Sequence, residues 1–199
     1  MSKTRVALII VGAIVLLIGG AAAWMLGPAL LPPKNIDVGI AVGDKAPVEM
    51  ELLDSTGTSS SLAKNMGERG MVLFLVRSAD WCPFCKAQLI RTEDIRSAIS
   101  KKGYALASVS YDAPDILAEF AAEKEIGYAM LSDQGSRLID ALGLRDPQYG
   151  KGSYAEGVPR ASILILAPDG TVQSKYVAAD YRSRPSNEDV MAMLAKVTR

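Results

Sequence analysis

Met71-Val72-Leu73-Phe74-Leu75-Val76, followed after a short interval by Trp81-Cys82-Pro83-Phe84-Cys85, is the stretch on which the reading of this chain turns. The apolar run has the length of a buried strand. The segment that closes the stretch holds the only two cysteines among 199 residues, and a helical pattern over Lys86–Lys101 follows it. A strand, a short loop and Cys-x-x-Cys opening a helix make a redox dithiol arrangement. A cysteine at a helix N-terminus meets unpaired backbone N–H groups and the positive end of the helix dipole, and both favour its thiolate. In such settings a thiol pKa falls from about 8.5 to roughly 3.5–7.5. Cys85 comes within the Cα reach of a disulfide, about 4.4–6.8 Å. Pro83 suits the first helical position because it has no N–H to leave unpaired. Cys82 is therefore expected as the exposed nucleophile and Cys85 as the inner, resolving thiol.

Composition narrows the alternatives. The chain has no histidine and no second cysteine pair, so a closed zinc site lacks ligands and Ser-His or Cys-His chemistry is excluded. A structural disulfide over so short a loop adds little stability. Lys+Arg and Asp+Glu number 22 each, and a net charge of zero argues against nucleic acid as a partner. No metal or cofactor is expected.

Lys3 and Arg5 precede a run from Val6 to Leu31 without a charged residue. At about 1.5 Å per residue such a run spans a hydrocarbon core of about 30 Å. Trp24 lies near its far end and the positive charges at its start, which predicts a single-pass anchor with the N-terminus inside. A cleaved signal peptide ending at Ala21-Ala22-Ala23 is the competing reading. Either places the domain outside the cytoplasm, on the periplasmic side in a two-membrane bacterium, where a disulfide persists. The expected division is 1–33 anchor, 34–43 linker and 44–199 domain.

Within the domain, a strand from Val48 to Leu53 enters a hairpin at Asp54-Ser55-Thr56-Gly57, and a short helical turn lies around Leu62–Asn65. After the central strand 71–76, the dithiol motif and its long helix, a strand is expected over Tyr104–Ser110. A helix with Pro114 in its first turn follows, capped by Asp112 or Ala113. Tyr128–Leu131 is a short strand and Ser136–Leu142 a helix ended by Gly143. Residues 145–158 form a glycine- and tyrosine-rich loop. Ala161–Leu166 and Val172–Val177 make a hairpin across Pro168-Asp169-Gly170. Ser186 with Asp189 caps a last helix to about Lys196. This order predicts an α/β fold on a mixed sheet flanked by helices.

The motifs resemble the redoxin family of the thioredoxin fold, which takes in alkyl-hydroperoxide-reductase/thiol-specific-antioxidant proteins and exported thiol–disulfide oxidoreductases. Three groups of residues carry the resemblance over roughly 40–199. They are Gly43-x-x-Ala46-Pro47 with Asp54-x-x-Gly57, Trp81-Cys82-x-x-Cys85, and Gly157-Val158-Pro159 before the strand ending at Pro168-Asp169-Gly170. The resemblance implies a thioredoxin-like fold and a cis Val158–Pro159 bond beside Cys82, its neighbouring backbone pairing with substrate. It also implies one of two chemistries. An oxidoreductase uses Cys82 to attack a partner disulfide and Cys85 to release the mixed disulfide. A thiol peroxidase uses a thiolate against hydroperoxide, giving a sulfenic acid that a second thiol resolves. The family's peroxide pocket carries a hydroxyl residue three before the cysteine, a proline seven before and a later arginine. Ala79 and Leu75 stand at the first two positions here, and Arg160 matches the third. Val76 and Gln88 occupy the places where the oxidoreductases carry a buried acid, which leaves Asp80 or water for proton transfer. Lys86 is a candidate for favouring the thiolate.

The expectation is accordingly an exported, membrane-anchored thiol–disulfide oxidoreductase. Its partners are protein thiols and disulfides on the outer side of the membrane, with an electron donor or acceptor. Cys82, Cys85 and Pro159 carry the chemistry, while Trp81, Phe84, Val158 and Arg160 line the substrate site. The alternative is a peroxiredoxin-like peroxidase with Cys82 peroxidatic, Cys85 resolving and Arg160 polarising the peroxide. A third reading is a binding module whose disulfide is incidental.

Overall fold

The computed structural model describes residues 12–16, 18–21 and 34–198. Among them, one mixed sheet is built from β1 (Leu52–Leu53), β2 (Ser59–Ser60), β3 (Gly70–Leu75), β4 (Tyr104–Ser110), β5 (Ala129–Ser132), β6 (Ser162–Leu166) and β7 (Val172–Val177). Their spatial order is β2-β1-β5-β4-β3-β6-β7. The flanking helices are α1 (Pro83–Glu93), α2 (Arg96–Ser100), α3 (Pro114–Glu123), α4 (Arg137–Ala141) and α5 (Asn187–Val197). β3 runs parallel to β4 and antiparallel to β6, and β4 runs parallel to β5. The parallel pairs are joined by crossovers that carry α1 and α2 in one case and α3 in the other, as parallel pairing requires. This is the expected thioredoxin-like α/β fold.

The apolar run explains why β3 is central. All six of its residues are buried. Val72 and Phe74 pack on one face with Cys82, Cys85 and Leu89. Met71, Leu73 and Leu75 pack on the other with Leu131, Leu138 and Ile139. A strand covered on both faces reads as a continuous apolar run, and both cores grow from it. The dithiol therefore sits where β3 emerges, on the face covered by α1 and α5.

Several elements depart from the sequence pattern. The helix expected over Lys86–Lys101 begins at Pro83 and breaks into α1 and α2 around Asp94–Ile95. There the N–H groups of Asp94 and Ile95 turn to Arg91 O and Thr92 O, three residues back, at 3.2 Å each. The stretch expected as a linker, 34–43, lies along β7: Ile36 N donates to Val177 O at 3.0 Å and Lys175 Nζ donates to Asp37 Oδ1 at 2.8 Å. Asp112 does not cap α3, whose N-cap is Ala113.

The membrane placement is corrected. Residues 12–16 and 18–21 are helical, but the rest of the expected span lies outside the described residues. Among the described residues no helix is long and apolar enough to cross a membrane. The single-pass anchor, and with it the extracytoplasmic or periplasmic side assigned to the domain, loses its structural basis.

One glycine is tied to strand pairing. Gly70 opens β3 with φ 131°, and a Cβ there would meet the Leu166 carbonyl oxygen of β6 at 1.9 Å. Gly70→Ala is expected to lower the unfolding free energy by about 3 kcal/mol, since left-handed strain and a clash with backbone that cannot move add together. Urea denaturation followed by far-UV circular dichroism measures it, and a loss under about 0.5 kcal/mol, the size of a neutral surface change, would show that the β3–β6 edge yields.

Candidate active site

Between β3 and α1 the chain crosses Val76 to Trp81, and one carboxylate fixes that crossing. Asp112, buried just beyond β4, accepts from Ser78 Oγ at 2.8 Å, from the Ala79 N–H at 2.7 Å and from Ser110 Oγ at 2.8 Å. Ser78 Oγ in turn accepts from the N–H groups of Asp80 at 2.9 Å and Trp81 at 3.3 Å. Burial pushes the Asp112 carboxyl above its ordinary 3.8, and the hydrogen bonds from Ala79, Ser78 and Ser110 pull against that rise.

The loop delivers Cys82 to the N-cap of α1, with Pro83 at the first helical positions as expected. Cys82 Sγ accepts from the Cys85 N–H at 3.3 Å. The two cysteines form a disulfide with a Cα separation of 5.2 Å. Cys82 was expected exposed. Instead both residues are 0% exposed and belong to the apolar core, with Trp81 and Phe84 packed against it. The expected pairing is present; the expected exposure is corrected.

An aromatic rim surrounds the motif. Trp81 Nε1 donates to Tyr111 Oη at 3.0 Å, and its ring meets Tyr154 edge-on at 5.9 Å. Phe84 meets Tyr181 at 5.9 Å, and Tyr149 meets Tyr154 at 5.6 Å. Inside the rim lies Arg77. Its guanidinium carbon is 4.1 Å from the Tyr181 ring centre, 4.8 Å from Tyr149 and 5.2 Å from Trp81. Its Nε and Nη2 are buried without a hydrogen-bond partner. A second buried guanidinium belongs to Arg184, whose Nη2 donates to Cys85 Sγ at 3.5 Å while Nε and Nη1 have no partner. Desolvation, helped by the Arg77 and Arg91 charges, pushes the Arg184 pKa down to about 9.

The sequence did not single out Asp112 as a loop anchor, nor Ser78, Arg77 or Arg184. Arg77 had a signal, a cation directly following the apolar run. Arg184 had none, since 99 residues separate it from the sulfur it touches.

The remaining expected site residues lie elsewhere. No cis peptide bond occurs among the described residues, so Val158–Pro159 is trans, which corrects the expectation drawn from the resemblance. The backbone explains it: residues 158–160 pair with 144–146 through Asp146 N to Val158 O at 2.9 Å and Arg160 N to Leu144 O at 2.7 Å. The Val158 N–H is also engaged, donating to Ala155 O at 3.1 Å, so both backbone polar groups of Val158 are taken within the protein. Arg160 lines a cavity of about 170 Å³ with Asp146, Gln148, Tyr181 and Arg182. Tyr181 connects this cavity to the rim, and no hydrogen bond joins Arg160 to either cysteine among the described residues. Asp80 is exposed and Lys86 half-buried. Among the described residues no group of three His, Cys, Asp or Glu side chains is placed to hold a metal.

The family model for the AhpC/TSA family matches residues 42–175. The chain belongs to the AhpC/TSA family. Peroxiredoxin Bcp of Escherichia coli is 26% identical over 155 residues, covering 78% of this chain and 96% of that protein. The chloroplastic peroxiredoxin Q of Gentiana triflora is 28% identical over 153 residues, 74% of this chain and 67% of its own. Among solved structures, reduced Prx3 of Vibrio vulnificus in complex with hydrogen peroxide superposes with a TM-score of 0.66 at 23% identity, covering 79% of this chain and 99% of that one. These relatives make the chain a thioredoxin-fold redox enzyme.

Asp112 gives a pH signature. A carboxyl whose folded pKa is raised stabilises the fold most below its unfolded value and loses that contribution as pH rises through the folded value. Asp112→Asn keeps one acceptor and loses the others, so it is expected to destabilise by about 1–3 kcal/mol. The gap to wild type should narrow from pH 4 to pH 7, measured by urea unfolding of both proteins. A gap that widens with pH would mean the carboxylate is stabilised by its donors more than burial penalises it.

Proposed function

We propose that this chain is a thiol peroxidase in which Cys82 is oxidised by a hydroperoxide and Cys85 resolves the product. The observation that carries the reading is the Cys82–Cys85 disulfide at the N-terminus of α1 in a chain of the AhpC/TSA family. The relatives' names support it, as does peroxide bound to the reduced Vibrio protein. The Cys82 thiolate attacks the terminal oxygen of the hydroperoxide, forms S–O, breaks O–O and leaves an alcohol or water after protonation. Cys85 then displaces hydroxide from the sulfenic acid, which leaves as water and closes the disulfide. A donor thiol, of a protein or a small molecule, returns the pair to dithiol by two successive exchanges. Since both cysteines are buried, substrate reaches Cys82 when the aromatic rim opens. Arg160 lines the cavity adjoining that rim, where a leaving alkoxide could be met by a cation.

A second reading is exchange with protein dithiols. The observation favouring it is the spacing itself, a disulfide closed within one helical turn with Trp81 and Phe84 packed beside it.

Stopped-flow mixing of the reduced full-length protein with hydrogen peroxide, followed by tryptophan fluorescence, separates the two. Oxidation is expected orders of magnitude faster than that of a free cysteine thiolate. It should be absent in Cys82→Ser, and in Cys85→Ser it should stop at a sulfenic acid trappable by dimedone. A wild-type rate near that of an ordinary thiolate, with fast reduction of a protein disulfide, would overturn the peroxidase reading in favour of exchange.

A further inference from the structure

We infer that Arg184 is a catalytic residue of this dithiol, holding the Cys85 sulfur as a thiolate whenever the disulfide is open. The inference rests on the reading that Cys82 is the sulfur attacked and Cys85 the one that leaves and returns. Sequence alone argues otherwise, because the helix N-terminus favours the thiolate of Cys82. Cys85 lies within the first turn, buried in apolar surroundings that raise a thiol's pKa and leave it inert.

The geometry reverses that expectation. Arg184 reaches Cys85 from the segment between β7 and α5, and α1 itself holds that segment in place. Arg91 Nη2 donates to Pro185 O at 2.7 Å and Asn187 Nδ2 donates to Arg91 O at 2.7 Å. The hydrogen bond to Cys85 Sγ is the one that the Arg184 guanidinium makes among the described residues, and its other buried N–H groups point at no acceptor. A buried cation without compensation is costly, and Arg184, unlike Arg77 with its three aromatic faces, has the Cys85 sulfur as its hydrogen-bond partner. The charged and titratable groups that act electrostatically on Arg184 are Arg77, Arg91, Tyr176 and Asp180. Two are cations, and Tyr176 is a phenol that burial keeps neutral. Asp180, the one carboxylate, is bound by Arg182 through Nη2 at 2.9 Å and Nε at 3.1 Å. The counter-ion is therefore missing from the oxidised protein, and Cys85 supplies it on reduction. A disulfide sulfur is a weak acceptor, whereas a thiolate forms a charge-assisted hydrogen bond.

The steps follow with electrons accounted for. A donor thiolate attacks Cys82 Sγ, the S–S bond breaks, and its electron pair leaves on Cys85, where Arg184 receives it. A second donor thiolate attacks the donor sulfur of the mixed disulfide, releasing oxidised donor and the Cys82 thiolate. After Cys82 is oxidised by hydroperoxide, the stored Cys85 thiolate attacks its sulfur, the S–O bond breaks, and the hydroxide released takes a proton from solvent to leave as water. Arginine suits this role better than lysine, because a buried lysine loses its proton far more readily.

The test uses the full-length Cys82→Ser protein, in which Cys85 is the only thiol, and the pH dependence of its alkylation by iodoacetamide. Removing a cation at this distance should shift the titration so that Arg184→Met cuts the alkylation rate at pH 6 by about ten- to a thousandfold. Arg184→Lys should restore part of it, and Arg184→Gln serves if the methionine variant does not fold. In the two-cysteine protein equilibrated with glutathione, Arg184→Met should move the balance toward the disulfide by a similar factor. A structural role alone would lower the melting temperature without moving the pH at which Cys85 titrates. Identical titration of Cys85 with and without the Arg184 guanidinium would overturn the inference. No peroxide enters these measurements, so slow peroxide oxidation of wild type would remove the peroxidase reading while leaving this result to stand or fall separately.

Discussion

A strand buried on both faces and paired along both edges leaves its exit loop full of polar groups with no access to water. β3 is that strand, and the loop from Val76 to Trp81 inherits the constraint. The Asp112 carboxylate resolves it by collecting the donors of Ser78, Ala79 and Ser110, while Ser78 passes the order on to Asp80 and Trp81. Unmet, each of the buried donors on Ser78, Ala79 and Ser110 would cost about 1–3 kcal/mol. The position of Cys82 at the head of α1 is a consequence: the loop has little freedom to put the sulfur anywhere else.

Charge around the dithiol is unbalanced by construction. Arg77 and Arg184 are both buried at the guanidinium, and Asp180, the carboxylate that acts on Arg184, is bound by Arg182. Arg77 is accommodated by three aromatic faces, an arrangement that supports a cation without neutralising it. Arg184 thus sets a positive charge against the Cys85 sulfur, suited to reactions that develop negative charge there. The positions where related peroxide pockets carry a proline and a hydroxyl, Leu75 and Ala79, are core residues in this chain. Among the described residues it is Arg184, from the segment before α5, that hydrogen-bonds a sulfur of the pair, and Arg160 does not.

Much of this was legible in the chain because the signals are local. The apolar run of β3, the dithiol opening a helix, the β6–β7 hairpin and the Ser186–Asp189 capping box each depend on residues within a few positions of one another. Periodicity and capping chemistry operate over that range. The split between α1 and α2 was not visible in the local pattern, and the contact beside it, from the Gly127 N–H to Glu93 at 2.9 Å, comes from a distant loop. Nor could spacing reveal that 158–160 pair with 144–146 and keep Val158–Pro159 trans.

The sequence by itself determined the kind of chemistry: two cysteines, no histidine and a strand–loop–helix frame leave a redox dithiol on a thioredoxin-like sheet. Tertiary structure alone decided which groups govern it. Asp112, Tyr181 and Arg184 come to the motif from other elements. Whether a buried charge has a partner depends on the whole set of neighbours that folding assembles, and no local pattern encodes that set.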